Sequence, residues 1–123
     1  MKRPYVLIVE DDDWLAEQYI RTLAGAEMQA DAVGHALAAI EAIDVKKPDV
    51  LVVDMLLPGP NVFTLLHEIR SHSDLAVIPV ILCTNSASQF SREDLAAYGI
   101  KTILDKATMH PKDMIAAIKK VLP

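Results

Sequence analysis

Cysteine is almost absent from the chain: Cys83 is the only one in 123 residues. A disulfide framework and any cysteine-rich zinc site are thereby excluded. Long apolar runs are missing too. The longest, such as Tyr5 to Val9 and Leu75 to Cys83, fall far short of the roughly 20 residues that a membrane-spanning helix needs. Basic residues are in deficit, with twelve Lys and Arg against seventeen Asp and Glu, so no face can displace counterions from a polyanion and direct nucleic-acid binding is not expected. No loop is rich in the Ser, Thr and Gly whose small side chains expose backbone amides to a cofactor phosphate, which disfavours a flavin carrier. The start, Met1-Lys2-Arg3-Pro4, runs straight into a short strand-like segment ending in acids. It does not read as a signal peptide, and the expected compartment is the cytoplasm.

What is present suits a globular domain: 52% hydrophobic and 24% charged residues, with a net charge of -5. A chain of this length buries roughly two-thirds of its unfolded surface in one core, so folding needs neither metal nor disulfide. No repeat, low-complexity tract or Gly/Ser-rich linker interrupts it, and a single domain over 1–123 is the simplest account. The charge is uneven. Residues 1–61 hold eleven acids against five bases, and residues 62–123 hold six against seven. The densest cluster, Glu10-Asp11-Asp12-Asp13, suits a hard divalent cation.

Short apolar runs alternate with amphipathic segments. Tyr5-Val-Leu-Ile-Val9 reads as a central strand covered on both faces. Asp13 is expected to cap a helix with Leu15, Tyr19, Ile20 and Leu23 on one face and Gly25 near its end. Met28–Val33 reads as a weaker strand. An alanine-rich helix over His35–Ile43 precedes Lys47-Pro48, and a strand over Val50–Val53 stops at Asp54. Pro58-Gly59-Pro60 marks a loop before a helix from about Asn61 to His72. Pro79–Cys83 is strand, Thr84–Ser88 polar loop, Arg92–Tyr98 helix stopping at Gly99, and Lys101–Leu104 a last strand. Pro111 opens a final helix that buries Met114, Ile115, Ile118 and Val121.

This βα alternation, five times over, predicts an α/β fold: a parallel sheet with right-handed crossovers and helices on both faces, doubly wound. Ligands bind such sheets beyond the carboxyl ends of the strands. There the chain offers Glu10-Asp11, Asp54, Thr84 and Asp105-Lys106. Three carboxylates held together repel by roughly 4 kcal/mol per pair at intermediate dielectric. Lys106 supplies one compensating charge, and Mg²⁺, which takes oxygen ligands, would supply two more. Such a set suits phosphoryl transfer onto a carboxylate, with Asp54 as nucleophile and Thr84 and Lys106 on the transferring oxygens. An acyl phosphate of about -2 with Glu10 and Asp11 outweighs the +3 of metal and lysine, which would draw Thr84 and Lys106 toward the phosphoryl group.

Four pieces carry a family resemblance: Val6-Leu-Ile-Val-Glu-Asp-Asp12, Val50-Leu-Val-Val-Asp-Met-Leu-Leu-Pro58, Val80-Ile-Leu-Cys-Thr84 and Ile103-Leu-Asp-Lys106. Thr84 lies thirty residues after Asp54, and Lys106 twenty-two after Thr84. In order and spacing the chain resembles the receiver domain of bacterial two-component response regulators over its whole length. The resemblance implies a flavodoxin-like (βα)5 sheet of strand order 2-1-3-4-5. It makes Asp54 the phosphoacceptor for a histidine kinase or phosphotransfer protein. Mg²⁺ would be held by Asp11, Asp54 and the backbone carbonyl of Leu56, with Glu10 acting through water. Thr84 and Lys106 would be the phosphoryl contacts and the switch. Leu56, Asn85 and Ser86 would flank the approach of a hydrolytic water. The implied role is a self-catalysing signalling switch rather than an enzyme, read by a downstream protein target, with room for a homodimer.

Three positions depart from the family. Ala107 replaces the proline after the lysine, so a cis peptide is not expected there. Val62 replaces a glycine, beside the unusual Pro58-Gly59-Pro60. Ile103 stands where many receivers carry a Tyr or Phe that rotates on phosphorylation. These favour an alternative, a degenerate receiver acting as a phosphorylation-independent interaction module; the intact acids, Thr84 and Lys106 oppose it. The segment after Lys106 lacks the sequence typical of receivers joined to winged-helix domains, so a free-standing receiver is the expectation. Cys83 reads as a buried small hydrophobe, His35, His67, His72 and His110 as surface residues, and Trp14 as partly exposed near the acids.

Overall fold

Five consecutive apolar residues make β1 (Tyr5–Val9), and all five are buried. The same holds at every position of β3 (Val50–Asp54) and β4 (Val80–Thr84). By contrast β2 (Gln29–Val33) has only exposed and half-buried positions, and β5 (Ile100–Asp105) buries only Ile100. The strand order β2-β1-β3-β4-β5 explains the difference. Every pairing is parallel, so the three inner strands are covered on both faces and the two edges are not. This computed structural model describes residues 3–54, 62–85 and 91–122.

The helices are α1 (Asp13–Gly25), α2 (Ala36–Val45), α3 (Val62–Arg70), α4 (Arg92–Ala97) and α5 (Pro111–Val121). Alternate strand residues point to opposite faces, and the core divides accordingly. Leu7, Val9, Leu51, Val53, Val80 and Leu82 pack with Ala39 and Ile43 of α2 and Leu65 and Ile69 of α3. Val6, Ile8, Val50, Val52, Ile81 and Cys83 pack with Leu23 of α1 and Met114 and Ile118 of α5. Among the described residues, no helix is long and apolar enough to cross a membrane.

Several boundaries differ from the sequence expectation. The cap of α1 is Asp12, not Asp13. Asp12 is extended, and its Oδ1 accepts the Leu15 N–H at 3.0 Å, while Asp13 is the first helical residue, its charge favourable at the helix N-terminus. The chain leaves α1 through Glu27, whose φ of 62° is left-handed. Met28 is buried but lies outside β2, because its N–H is held by the Leu23 carbonyl at 2.9 Å. α2 begins after His35, whose Nδ1 accepts the Ala38 N–H at 3.2 Å, and runs two residues past Ile43. α3 stops at Arg70, and Ser71 turns away with its hydroxyl bonded to the Glu68 carbonyl at 2.6 Å. α4 stops at Ala97, with the left-handed Gly99 at φ 72° just beyond. Thr84 is strand rather than loop, paired in register with Asp105, and β5 extends to Ile100 and Asp105. Backbone ladder bonds set these strand ends, and they continue past the last apolar side chain.

Candidate functional site

Parallel register assembles the site. Val9 pairs with Val53, so the next residues, Glu10 and Asp54, leave adjacent strands side by side. Both continue the alternation of Val6–Ile8 and Val50–Val52, which faces α1 and α5. Farther along, Asp54 pairs with Cys83 and Thr84 with Asp105. The Lys106 N–H then bonds the Thr84 carbonyl at 3.0 Å, which fixes the start of the β5–α5 turn at the same sheet edge. Thr84 keeps the parity of Val80 and Leu82, opposite to that of Glu10 and Asp54.

Three polar residues are buried here: Glu10 (3% exposed), Asp54 (5%) and Thr84 (3%). Asp11 is exposed at the rim. The Lys106 Nζ donates to Asp54 Oδ2 at 3.1 Å and to Glu10 Oε1 at 3.3 Å. The Asp12 N–H reaches Glu10 Oε2 at 3.4 Å. One carboxylate oxygen from each of Glu10, Asp11 and Asp54 lies within 4.8 Å of the others. An all-oxygen donor set of this size and charge fits a hard divalent cation such as Mg²⁺, with room for retained waters.

The electrostatics show how little compensation the protein itself supplies. Burial raises the Glu10 pKa, and its hydrogen bond to Asp54 and that residue's charge push the same way, to about 7, against Lys106 and the Asp12 amide. Burial alone would lower the Lys106 pKa, but Asp54 and Glu10 outweigh it and hold the ammonium charged. The Lys106 ammonium is thus shared between two buried carboxylates. Burial also pushes the Cys83 thiol up to about 12, with Lys106 opposing, so Cys83 is a neutral packing residue at 2% exposure.

Glu10, Asp11, Asp54, Thr84 and Lys106 thus meet at one edge of the sheet, as the strand-end reading requires. Asn85 is exposed after β4, while Leu56 and Ser86 lie outside the described residues, as does Pro58-Gly59-Pro60. Ile103 is half-buried and packs against the core cluster on the α2–α3 face. Among the described residues no peptide bond is cis. The four histidines are exposed. Tyr19 was legible only as part of an apolar helix face. Its hydroxyl pKa is raised by burial and then by Cys83, Glu10 and Asp54, and its side chain packs against the core cluster that holds Cys83. The signal lay in helix periodicity, since Tyr19 falls two turns from Asp12.

Comparison with known proteins follows the same lines. Residues 6–119 match the model of the response regulator receiver domain. The transcriptional regulatory protein BaeR of Escherichia coli is 29% identical over 97% of this chain and 48% of its own length. GltR of Pseudomonas aeruginosa is also 29% identical, over 95% of this chain and 48% of its own. The chain spans about half the length of these curated relatives. Among solved structures, a proposed response regulator from Chloroflexus aurantiacus superposes with a TM-score of 0.86 at 28% identity, covering 98% of both chains. The chemotaxis response regulator CheY4 of Vibrio cholerae gives 0.89 at 21% identity, over 98% and 100%. The receiver domain of a Pseudomonas aeruginosa sensor histidine kinase, solved with magnesium coordinated in its active-site cleft, gives 0.84 at 20% identity over 97% of both chains.

Proposed function

The chain belongs to the response regulator receiver domain family, and on that premise we propose that it is a phosphorylation-dependent switch with Asp54 as phosphoacceptor. The observation that carries this reading is the buried Asp54 carboxylate held 3.1 Å from Lys106 inside an all-oxygen cluster with Glu10 and Asp11. Asp54 attacks the phosphorus of a phosphohistidine. The new bond joins an Asp54 carboxylate oxygen to phosphorus, the N–P bond breaks, and its electron pair returns to the imidazole, which takes up a proton from solvent.

Asp11, Asp54 and the Leu56 carbonyl would hold Mg²⁺, with Glu10 acting through water; when bound, the ion supplies positive charge opposite the transferring oxygens. The magnesium in the sensor-kinase receiver supports the same use of the acids here. Lys106 already stands on Asp54 and can follow charge from the carboxylate to the phosphoryl group. Thr84 sits on the next strand, where its hydroxyl can donate to a phosphoryl oxygen. The altered positions of Thr84 and Lys106 are the signal that a downstream protein target reads, and a histidine kinase or phosphotransfer protein is the donor.

Acetyl phosphate with Mg²⁺, followed by intact-mass spectrometry, tests this. One added phosphoryl group is expected, absent in Asp54→Asn. Equal labelling of the variant overturns the assignment. No labelling of the natural chain, by acetyl phosphate or by a phosphohistidine donor, selects the phosphorylation-independent module instead.

A further inference from the structure

On the sheet face opposite α1 and α5, the C-terminal halves of α2 and α3 enclose a cavity of about 130 Å³. Ile43 and Ile69, both 3% exposed, belong to its apolar wall, and its polar members are Asp44, Glu68 and His72. Two carboxylates against one imidazole give the lining itself a negative balance.

The helices deepen that balance. Both return between parallel strands on the same face, so their C-terminal ends, the negative poles of the helix dipoles, come together at the cavity. Asp44 stands in the last turn of α2, which carries no basic residue, and Glu68 in the last turn of α3. Neighbouring cations are occupied elsewhere. Lys46 lies 4.2 Å over the Tyr5 ring and bonds Gln29, and Arg70 lies against Gly99. Neither lines the cavity. Carboxylates at such poles are unfavourable without a cation between them.

Geometry decides which cation. His72 Nε2 stands 3.5 Å from Glu68 Oε1. That is longer than the roughly 2.7–3.2 Å of an N–H···O bond, but two ligands about 2.1 Å from one tetrahedral ion stand about 3.4 Å apart. The His72 backbone is pinned on both sides: its N–H bonds the Ile69 carbonyl at 3.2 Å, and its carbonyl accepts from Leu75 and Ala76 at 3.1 and 2.9 Å. Imidazole with carboxylate suits zinc and related transition ions rather than Mg²⁺.

We propose that Asp44, Glu68 and His72 form a binding site for a divalent transition ion of the zinc class, which clasps α2 to α3. Glu68 and His72 are the preset pair. Among the described residues only Glu10, Asp11 and Asp54 already bring three donor atoms within 4.8 Å of one another. Asp44, exposed at the end of α2, therefore turns inward to complete the set, and water takes the fourth position. The site is separate from the strand-end acids, and the inference does not depend on phosphorylation of Asp54.

Zinc chloride titrated into the full chain tests this, with the imidazole resonances of each histidine as readouts. A saturable shift of His72 is expected at micromolar zinc, tighter than at His35, His67 or His110, and it should persist in Asp11→Asn, which breaks the strand-end donor set. Glu68→Gln should weaken it at least about tenfold and Asp44→Ala severalfold, because each removes a charged donor. In the Asp11→Asn background zinc should also raise the thermal midpoint; adding His72→Ala should abolish that rise, and adding Asp44→Ala should reduce it. All three positions are exposed, so these variants keep the fold. No saturable shift of His72, equal affinity at the other histidines, loss of the shift in Asp11→Asn, or affinity unaltered in Glu68→Gln or Asp44→Ala would each overturn the proposal.

Discussion

Lys106 and Asp54, fifty-two residues apart in sequence, meet at 3.1 Å at the carboxyl edge of the sheet, where β4 lies between their strands. The same ammonium also holds Glu10 at 3.3 Å, so removing it takes one cation away from two buried carboxylates at once.

Lys106→Ala should accordingly lower the stability of the metal-free protein by about 3 kcal/mol near pH 7.5, the usual cost of stripping one partner from a buried ionic group. Urea unfolding with and without Mg²⁺ measures it, and added Mg²⁺ should recover most of the loss. The variant should still accept some phosphoryl group at Asp54 but respond less in structure, because the new charge is less compensated.

The Glu10 carboxyl, raised to about 7 in the folded protein, ties stability to pH. The folded state binds this proton more tightly than the unfolded state does. Its contribution is therefore fully present below the unfolded pKa of about 4.5 and is lost as pH rises to about 7. Without metal, stability from this group should fall by up to about 3 kcal/mol across that window. Glu10→Gln should flatten the profile between pH 4.5 and 7 in thermal melts, and an unchanged slope would remove Glu10 as its source.

Mg²⁺ should bind in the millimolar range, as expected of a partly hydrated site built from few carboxylates. Trp14, three residues beyond Asp11 and 71% exposed, is the natural reporter. Titration should perturb its fluorescence, and Asp11→Asn should abolish the response. Calorimetry showing no metal binding to the natural chain would undercut the switch.

Phosphoryl lifetime depends on whether a water can approach in line with the bond that breaks. The apolar side chain of Leu56, two residues past Asp54 in sequence, can offer a water no hydrogen bond, and the resemblance to receivers sets Leu56, Asn85 and Ser86 at positions that flank this approach. A longer-lived phosphoryl group than in chemotaxis-type receivers is expected, with faster decay in Leu56→Asn. Loss of label followed after donor removal measures it; rapid decay in the natural chain, or no acceleration in the variant, counts against the argument.

Much of this was legible in the residues alone. An unbroken apolar run such as Tyr5–Val9 has few ways to be satisfied other than as an inner strand, and helical spacing from Leu15 to Leu23 already points one face inward. The βα alternation with acids at strand ends then places Glu10, Asp11, Asp54, Thr84 and Lys106 at one edge, because parallel strands all end on the same side. Boundaries were less legible. Asp12 and Asp13 carry the same capping group, and only the extended backbone at Asp12 selects between them. The left-handed turn at Glu27 gives no signal in composition, since a neighbouring helix and strand impose it.

Register, parity and distance belonged to the tertiary structure. Local sequence determines that a segment is a strand and where its chemistry-bearing residue falls. It does not determine which strand lies alongside, nor by how many residues it is offset, because those depend on packing of both sheet faces at once. That packing puts Glu10 and Asp54 on the α1–α5 face and Thr84 at the opposite parity. It also brings one lysine within reach of two buried carboxylates and lines one cavity with Asp44, Glu68 and His72. Side-chain identity is a local property, whereas the sharing of a single charge between groups ninety-six and fifty-two residues apart is a property of the assembled sheet.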